Sequence, residues 1–244
     1  MKTLIKNGYL VDPANQVQAY LNLVLENGKV TAVTEDDAEA RSFEMGAARA
    51  KELNESGHPC YDIPMGGASI VGSVGFASGY VEFEKQVQAM NLKVDYIFHA
   101  TGTGGTMAGL AAGRKMAQSD TKIISVTVSP KDEKYLCKVE KLANDVLALV
   151  KSPEKVDRSE DLHMDTGYYA PGYEQPNEAA SEAIRLLART EGLFVDPVYT
   201  GKALAGLIDY VRSGKVPQGS NVVFWHTGGA TALFAEREIL GKLY

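Results

Sequence analysis

The feature that most constrains the fold is a repeated alternation of short apolar segments, turns and longer amphipathic segments from residue 96 onward. Apolar segments at 96–100, 122–128 and 221–225 each lead through a turn into a segment with helical periodicity. Such repeated strand–loop–helix units predict an α/β fold with a doubly wound, mostly parallel sheet and helices on both faces. Ligands of these sheets bind where loops leave the carboxyl ends of the strands.

The other elements are predicted from local patterns. Short N-terminal β strands are expected at 3–10, 20–26 and 30–34, and further strands at 61–64 and 193–195. Segments that predict helices share apolar residues on one face or a capping residue at their start; they are 38–53 (capped by Asp36 or Asp37), 107–117, 134–151, 177–191, 202–211 and 231–240. The polar segment 152–161 is expected to be a solvated loop, and the glycine-rich stretch 65–80 is assigned to neither class.

The clearest chemical signal is the segment TGTGGT, residues 101–106, between a predicted strand and a predicted helix. Its glycines let backbone N–H groups converge, the start of the helix adds partial positive charge, and its threonines add hydroxyl donors. The pattern favours a phosphate held without a cationic side chain, although a tight strand-to-helix turn would also require glycine. The spacing matches neither a P-loop nor the regular GxGxxG fingerprint.

Two other turns have a chemical and a plain structural interpretation. In HTGG, after the last predicted strand, Thr227 either meets the edge of a heterocycle or caps the following helix. In DPVYTGK, Tyr199 either projects into a cleft or packs as an ordinary aromatic residue. Tyr168, Tyr169 and Tyr173 crowd the loop GYYAPGYEQP, which fits a lid packed on itself and a substrate wall equally well.

Composition and spacing argue against several other classes. The net charge of −6 argues against a nucleic-acid partner, which would require a basic face. Cys60 and Cys137 lie far apart, which indicates a reducing compartment, and no apolar run is long enough for a membrane span. We therefore expect a cytoplasmic protein with no membrane partner. The four histidines show no HxH or HExxH spacing, so no metal site is predicted.

Four segments together resemble one family. PMGGASIVGSVGF, HATGTGGTMAGL, the long segment containing DPVYTGK, and GSNVVFWHTGGATALFA occur in the order seen in D-cysteine desulfhydrases and 1-aminocyclopropane-1-carboxylate (ACC) deaminases. The resemblance covers residues 29–244. It implies the tryptophan-synthase-β type of fold, which is fold type II of the pyridoxal-phosphate (PLP) enzymes, and PLP as the cofactor.

The resemblance also implies roles for individual residues. The cofactor phosphate would be held by the loop after the first strand of the α/β domain, which consists of Thr101, Gly102, Thr103, Gly104, Gly105 and Thr106. Thr227 would face the pyridine nitrogen, and Tyr173 and Tyr199 would approach the substrate as catalytic residues. ACC deaminases place a glutamate after the tyrosine of the DPVY segment, whereas this chain has Thr200, which favours the desulfhydrase-like branch. That branch also includes sulfo-lyases that act on cysteate, so the resemblance leaves the substrate open.

The chain departs from the family on its N-terminal side. Neither the GGNK-type segment, whose lysine forms the Schiff base, nor the Ser-Asn-His substrate loop is found, so the domain is expected to be truncated. Residues 1–26 instead resemble the opening strands of dihydroorotase-type amidohydrolases, and we predict a boundary between segments 1–28 and 29–244. By sequence context, Lys202 of the DPVYTGK segment is the nearest candidate for the missing Schiff-base lysine, but it is interpreted as solvated or structural.

Two functions from different classes follow, and whether the chain is an active enzyme is left open. The first is a PLP-dependent lyase or deaminase of small amino acids, incomplete by itself and assisted by a homo-oligomer or a complementing chain. The second is a non-catalytic remnant that binds a phosphate ligand or a partner protein. A working amidohydrolase is set aside because its HxH metal motif is missing.

Overall fold

The computed structural model describes residues 2–26, 29–34 and 38–236. Its backbone divides into two compact units, Met1–Ile63 and Pro64–Tyr244. Because each unit has its own internal packing, they are described separately.

The first unit consists of a three-stranded antiparallel sheet and one long helix. The elements, in chain order, are β1 (Lys2–Asp12), β2 (Val17–Glu26), β3 (Lys29–Thr34) and α1 (Ala38–Glu55). The rings of Tyr9 and Tyr20 face each other across β1 and β2 with centroids 5.0 Å apart, a cross-strand pair that stabilises the hairpin. The predicted strands and helix are confirmed; the predicted caps Asp36 and Asp37 lie outside the described residues.

The predicted boundary at residue 28 falls between the end of β2 at Glu26 and the start of β3 at Lys29. These two strands pair in one sheet, with Leu23 opposite Val33. The compact units divide further along the chain, after Ile63. A compact unit is defined by packing, whereas the predicted boundary marks a change in sequence resemblance, so that boundary stays a prediction.

The second unit contains a four-stranded parallel sheet. Its strands are β4 (Tyr96–Thr101), β5 (Lys122–Thr127), β6 (His163–Asp165) and β7 (Val222–Phe224), arranged in the order β6-β5-β4-β7. All three neighbouring pairs are parallel. The sequence predicted β4, β5 and β7, while the three-residue edge strand β6 was too short to be recognised.

Helices cover both faces of this sheet, which confirms the doubly wound α/β fold. They are α2 (Ile70–Ala89), α3 (Gly105–Met116), α4 (Glu133–Leu149), α5 (Arg158–Asp161), α6 (Glu178–Glu191), α7 (Thr200–Arg212) and α8 (Ala232–Ala235). Ile97 of β4 packs toward α2 and α3, and the next residue, Phe98, packs toward α7. Of the predicted last helix, residues 237–240 lie outside the described part of the chain.

Two predicted strands are wrong. Residues 61–64 and 193–195 are irregular and pair with no strand in the described structure. At the second segment, the Phe194 carbonyl lies 2.8 Å from Nε2 of His226, and the Val195 side chain is buried against α6 and α7. Only Val195 of this apolar run packs between helices, whereas Leu193 and Phe194 are exposed.

The sequence analysis missed a 20-residue helix, α2, because of its glycines. Ser69 caps this helix by accepting a hydrogen bond from the Gly72 N–H at 3.1 Å. The segment 152–161 was also misjudged, because Asp161 in α5 is buried and pairs with Arg114 and Lys115. Three charges at the ends of helices thus join α3 to α5.

Close packing of α2 on α3 generates the first testable prediction. A Cβ atom at Gly113 would lie 2.5 Å from Cβ of Tyr80, so Gly113→Ala must push α2 and α3 apart. We expect the free energy of unfolding to fall by about 2 kcal/mol, measured by urea denaturation.

Gly75 on α2 is the matched control, because a Cβ there meets nothing within 4 Å. Gly75→Ala should raise the free energy of unfolding by about 0.5–1 kcal/mol through helix propensity. Equal effects of the two substitutions would contradict this account of the helix pair.

Candidate functional site

Two glycine turns leave the same edge of the parallel sheet. β4 and β7 are neighbours, with Phe98 opposite Phe224, and the Trp225 N–H donates to the Phe98 carbonyl at 2.8 Å. The turns containing Gly104 and Gly228 follow these two strands. Because the strands are parallel, both turns begin at their carboxyl ends, as the sequence predicted.

The loop after β4 ends in a helix N-terminus that glycine makes possible. Gly104 precedes α3 with φ of 98°, and a Cβ there would lie 2.8 Å from Cγ2 of Val139. The first helical bond runs from Ala108 N–H to the Gly104 carbonyl at 2.9 Å. Helix geometry therefore leaves the N–H groups of Gly105 and Thr106 without intrahelical acceptors, at the positive end of the helix dipole.

The turn Met65–Gly67 packs against the same loop. A Cβ at Gly66 would lie 2.5 Å from Oγ1 of Thr103, and φ of 64° at Gly66 also favours glycine. A Cβ at Gly105 would lie 3.2 Å from Cα of Ala68 and 3.6 Å from Oγ of Ser73. Ser73 is fully buried, and its hydroxyl has no hydrogen-bond partner among the described residues. Backbone donors, a glycine cradle and an unsatisfied buried hydroxyl thus fit a small anion at this loop.

Neutral polar groups support the loop from within the sheet. Oγ1 of Thr101 lies 2.7 Å from the hydroxyl of Tyr135 on α4, so this threonine is tied to the protein. Nε2 of His99 lies 2.7 Å from Oγ of Ser125, and burial lowers the pKa of His99 to about 4. His99 is therefore uncharged near neutral pH and brings no cation to the loop.

A buried carboxylate organises the DPVYT turn. Oδ2 of Asp196 accepts hydrogen bonds from the N–H groups of Val198 (2.9 Å) and Tyr199 (2.7 Å). Oδ1 accepts from the N–H (2.8 Å) and hydroxyl (2.6 Å) of Thr200, the first residue of α7. Asp196 is only 1% exposed, so these four bonds replace its hydration and fix the turn that presents Tyr199.

The same carboxylate lies against the HTGG turn. A Cβ at Gly229 would lie 2.8 Å from Oδ1 of Asp196, and Gly229 has φ of 88°. The Thr200 hydroxyl is 3.5 Å from the Gly228 carbonyl. The turns after β7 and before α7 are therefore packed together, and only glycine allows this approach at position 229.

The two predicted catalytic tyrosines contact each other. The hydroxyls of Tyr173 and Tyr199 are hydrogen-bonded, and their rings meet edge to face with centroids 5.7 Å apart. A Cβ at Gly102 would lie 3.5 Å from Cε1 of Tyr199, so this ring also borders the glycine loop. The structure thus brings Tyr173, Tyr199 and the loop 101–106 together.

The environment of Tyr173 favours its protonated form. Burial of part of the side chain and the hydrogen bond with Tyr199 raise the pKa of the Tyr173 phenol well above its usual value. At neutral pH this phenol is a proton donor and not a base. The other tyrosines of the loop are placed differently, since Tyr168 donates to Oδ2 of Asp209 at 2.5 Å.

Lys202 is structural and not solvated. It is fully buried, and Nζ donates to the carbonyls of Gly172 at 2.7 Å and Tyr169 at 3.2 Å. Of the two environments proposed from the sequence, the solvated one is wrong.

Thr227 and Thr106 are the least constrained of the predicted site residues. Thr227 is exposed on the turn after β7, next to Gly228, whose N–H donates to Nδ1 of His226 at 3.0 Å. Thr106 lies half-buried in the first turn of α3. Their assigned contacts with a cofactor stay predictions.

Asp196, Ser73 and Tyr135 were not predicted as site residues. For Asp196 a signal was present, because an aspartate followed by proline and then threonine four residues on is typical of a turn that caps a helix. Ser73 and Tyr135 lie on helices, and their approach to the loop depends on tertiary packing.

The findings on metal and membrane sites apply to residues 2–26, 29–34 and 38–236. Within them, no group of three or more histidine, cysteine, aspartate and glutamate side chains is arranged to hold a metal ion. No helix there has the length and apolar character needed to cross a membrane.

Comparison with known proteins gives a consistent match. The family described as pyridoxal-phosphate dependent enzyme matches residues 8–228. D-cysteine desulfhydrases of Salmonella newport and Salmonella typhimurium are each 36% identical over 204 residues, which cover 84% of this chain and 59% of the relative. The crystal structure of an ACC deaminase homologue aligns with a TM-score of 0.72 at 30% identity, covering 89% of this chain and 64% of that one. The chain thus spans less than two thirds of each relative.

The second testable prediction concerns Asp196. Asp196→Ala would leave three backbone N–H groups without their acceptor, so the free energy of unfolding should fall by about 3 kcal/mol. Urea denaturation checks this value. Asp132→Ala removes one exposed capping bond, to the Tyr135 N–H, and should cost about 1 kcal/mol. A smaller loss for Asp196→Ala than for Asp132→Ala would contradict the central role of this carboxylate.

Proposed function

Because the chain belongs to the family of pyridoxal-phosphate dependent enzymes, we propose that it binds PLP at the carboxyl edge of its parallel sheet. We propose further that the site serves a lyase or deaminase of small amino acids, similar to a D-cysteine desulfhydrase. The observation that carries this proposal is the glycine loop 101–106 beside the hydrogen-bonded pair Tyr173 and Tyr199.

The phosphate would be held by the N–H groups at the start of α3. The residues that would contribute are Thr101, Gly102, Thr103, Gly104, Gly105 and Thr106, with Thr101 acting through its backbone because its hydroxyl is bonded to Tyr135. The buried Ser73 hydroxyl has an unused donor beside this loop. Backbone donors and a helix dipole bind phosphate without a cationic side chain.

The ring of the cofactor would lie between the two glycine turns, with Thr227 at the pyridine nitrogen. A neutral hydroxyl there donates a hydrogen bond without transferring its proton. When bound, PLP supplies an electron sink for carbanion chemistry at the amino-acid substrate. The protein's part is to place the ring.

Tyr173 and Tyr199 would donate a hydrogen bond at the substrate. Because the pKa of Tyr173 is raised, its hydroxyl keeps its proton and can donate a hydrogen bond to the leaving sulfur. Its contact with Tyr199 orients that proton. The proposed overall reaction is β-elimination, in which D-cysteine and water give pyruvate, ammonia and hydrogen sulfide.

Lys202 is not positioned to bond the cofactor covalently. Its ammonium is engaged by two carbonyls of the loop that carries Tyr173. We therefore propose that the 244-residue chain alone binds PLP through the phosphate and turns over no substrate, and that a complementing chain supplies the lysine. The engaged Lys202 equally favours the second candidate function, a non-catalytic protein that binds a phosphate ligand.

Several further features are proposals of the same kind. Residues 1–28 would derive from an amidohydrolase-like sequence and residues 29–244 from the PLP enzyme, and the protein would act in the cytoplasm. Self-association into a homo-oligomer is the alternative to a complementing chain.

The third testable prediction concerns PLP binding. Titration followed by absorbance should give saturable binding that inorganic phosphate competes away. Gly104→Ala places a methyl group against Val139 in a left-handed backbone, so the affinity for PLP should fall about tenfold or more. Borohydride treatment followed by peptide mass mapping should label no single lysine stoichiometrically.

Gly192 provides the control, because it also has positive φ but meets nothing within 4 Å and lies at the end of α6. Gly192→Ala should leave the affinity for PLP unchanged. One lysine labelled at full stoichiometry, with turnover lost when it is replaced, would refute the proposal that a complementing chain supplies the lysine. Binding of phosphate but not of PLP would favour the second candidate function.

The fourth testable prediction concerns the reaction. The Thr200 side chain is buried and bonded to Asp196, so position 200 offers no acid or base to a substrate. When a polypeptide supplying the lysine restores activity, sulfide release from D-cysteine should exceed ring opening of ACC by about tenfold or more. Parallel assays of the two reactions at equal substrate concentration measure the ratio. Ring opening as the faster reaction would refute the assignment.

A further inference from the structure

Two side chains hold nearly every backbone carbonyl of the tyrosine loop. Nζ of Lys202 donates to the carbonyls of Tyr169 and Gly172 at 3.2 and 2.7 Å. Nδ2 of Asn177 donates to the carbonyls of Tyr168 and Ala170 at 3.1 and 2.7 Å. The loop 168–172 therefore owes its shape to donors outside itself.

The burial of Lys202 makes this arrangement specific. A lysine that is fully buried loses the hydration of its ammonium, and burial lowers its pKa. The nearby carboxylate of Asp196 acts in the opposite direction. Charge-assisted bonds to two carbonyls replace the lost hydration, whereas an apolar side chain could fill the same space without holding the loop.

The held carbonyls lie directly before Tyr173. Gly172, whose carbonyl receives the shorter Lys202 bond, is its neighbour in the chain. The Tyr173 hydroxyl meets that of Tyr199, and Tyr199 is fixed by Asp196. Each partner of the tyrosine pair is thus held by a different buried charge, one anionic and one cationic.

We propose that Lys202 is a positioning residue, which together with Asn177 holds loop 168–172 so that the hydroxyl of Tyr173 lies against Tyr199. The placement of the pair stands on geometry alone. Its catalytic meaning rests on the proposed function, in which this pair donates a hydrogen bond to the leaving sulfur of the substrate.

Hydrogen exchange followed by mass spectrometry tests the placement without any cofactor. Lys202→Met keeps a side chain of similar length but removes the ammonium and both of its hydrogen bonds to the loop. Amides of residues 167–176 should then exchange about tenfold faster or more. Amides of α3 and α4 should keep their protection. Lys134→Met, which replaces an exposed lysine on α4, is the matched control and should change neither region.

Asn177→Asp is the second variant, and it keeps the helix cap. Oδ1 of Asn177 accepts from the Ala180 N–H at 2.8 Å, which a carboxylate also does, whereas the two donations to the loop are lost. This variant should speed exchange in 167–176 and leave α6 protected. It decides the question even where Lys202→Met does not fold.

Tyrosine titration provides a readout that a general loss of stability would not move. The ultraviolet difference between the protein and Tyr173→Phe reports the Tyr173 phenol, which faces Tyr199, Glu174 and Asp196. Lys202→Met should shift this titration toward the ordinary tyrosine pKa. Removing a cation cannot by itself lower a tyrosine pKa, so a downward shift reports release of the loop.

Unchanged exchange in 167–176 in both variants, or an unchanged Tyr173 titration in folded Lys202→Met, would overturn the proposal. Faster exchange spread equally over the sheet and all helices would also overturn it, because Lys202 would then be only a core residue. PLP affinity is measured separately on the same variants. If exchange in 167–176 becomes faster in the variants while the parent protein binds no PLP, the proposed function is refuted and the positioning role stands.

Discussion

The buried carboxylate of Asp196 is the interaction on which the rest of the site depends. Burying a charge is costly unless its hydration is replaced, and here three backbone N–H groups and one hydroxyl do so at the start of α7. The favourable end of the helix dipole adds to this. Since the same oxygens orient Tyr199 and pack against Gly229, one side chain sets the geometry of two turns.

The sheet and the loops could be predicted from the sequence because their signals are local. A parallel strand that is buried on both faces is continuously apolar, and the turn after it shows its glycines in sequence. Position 104 needs a left-handed backbone and has no room for a Cβ atom, so the glycine there indicates the local backbone conformation directly. The rule that ligand loops leave the carboxyl ends of parallel strands then predicted that both glycine turns lie at one edge, whereas the pairing of β4 with β7 is known only from the structure.

What could not be predicted depends on tertiary contacts. Helix α2 contains three glycines that lower its propensity, and it forms because α3 offers glycines at 109 and 113 for close packing. The segment 193–195 has a strand-like apolar run, yet it joins no described sheet: Val195 is buried against α6 and α7, whereas Leu193 and Phe194 are exposed. Lys202 was expected to be solvated or structural. Its neighbours in the sequence do not show that carbonyls 30 and 33 residues earlier accept hydrogen bonds from its ammonium.

These contacts separate two tasks that a PLP enzyme performs in one place. Holding a phosphate requires a glycine loop and a helix N-terminus, which are formed here by residues adjacent in sequence. Covalent attachment of the cofactor requires an amine that is free to react. Lys202 instead stabilises the tyrosine loop through hydrogen bonds to two carbonyls. If the Lys202 ammonium left this position, two backbone carbonyls would lose their donor, which would cost at least one hydrogen bond. The glycine loop and the helix N-terminus are therefore formed on a chain in which Lys202 is committed to structure.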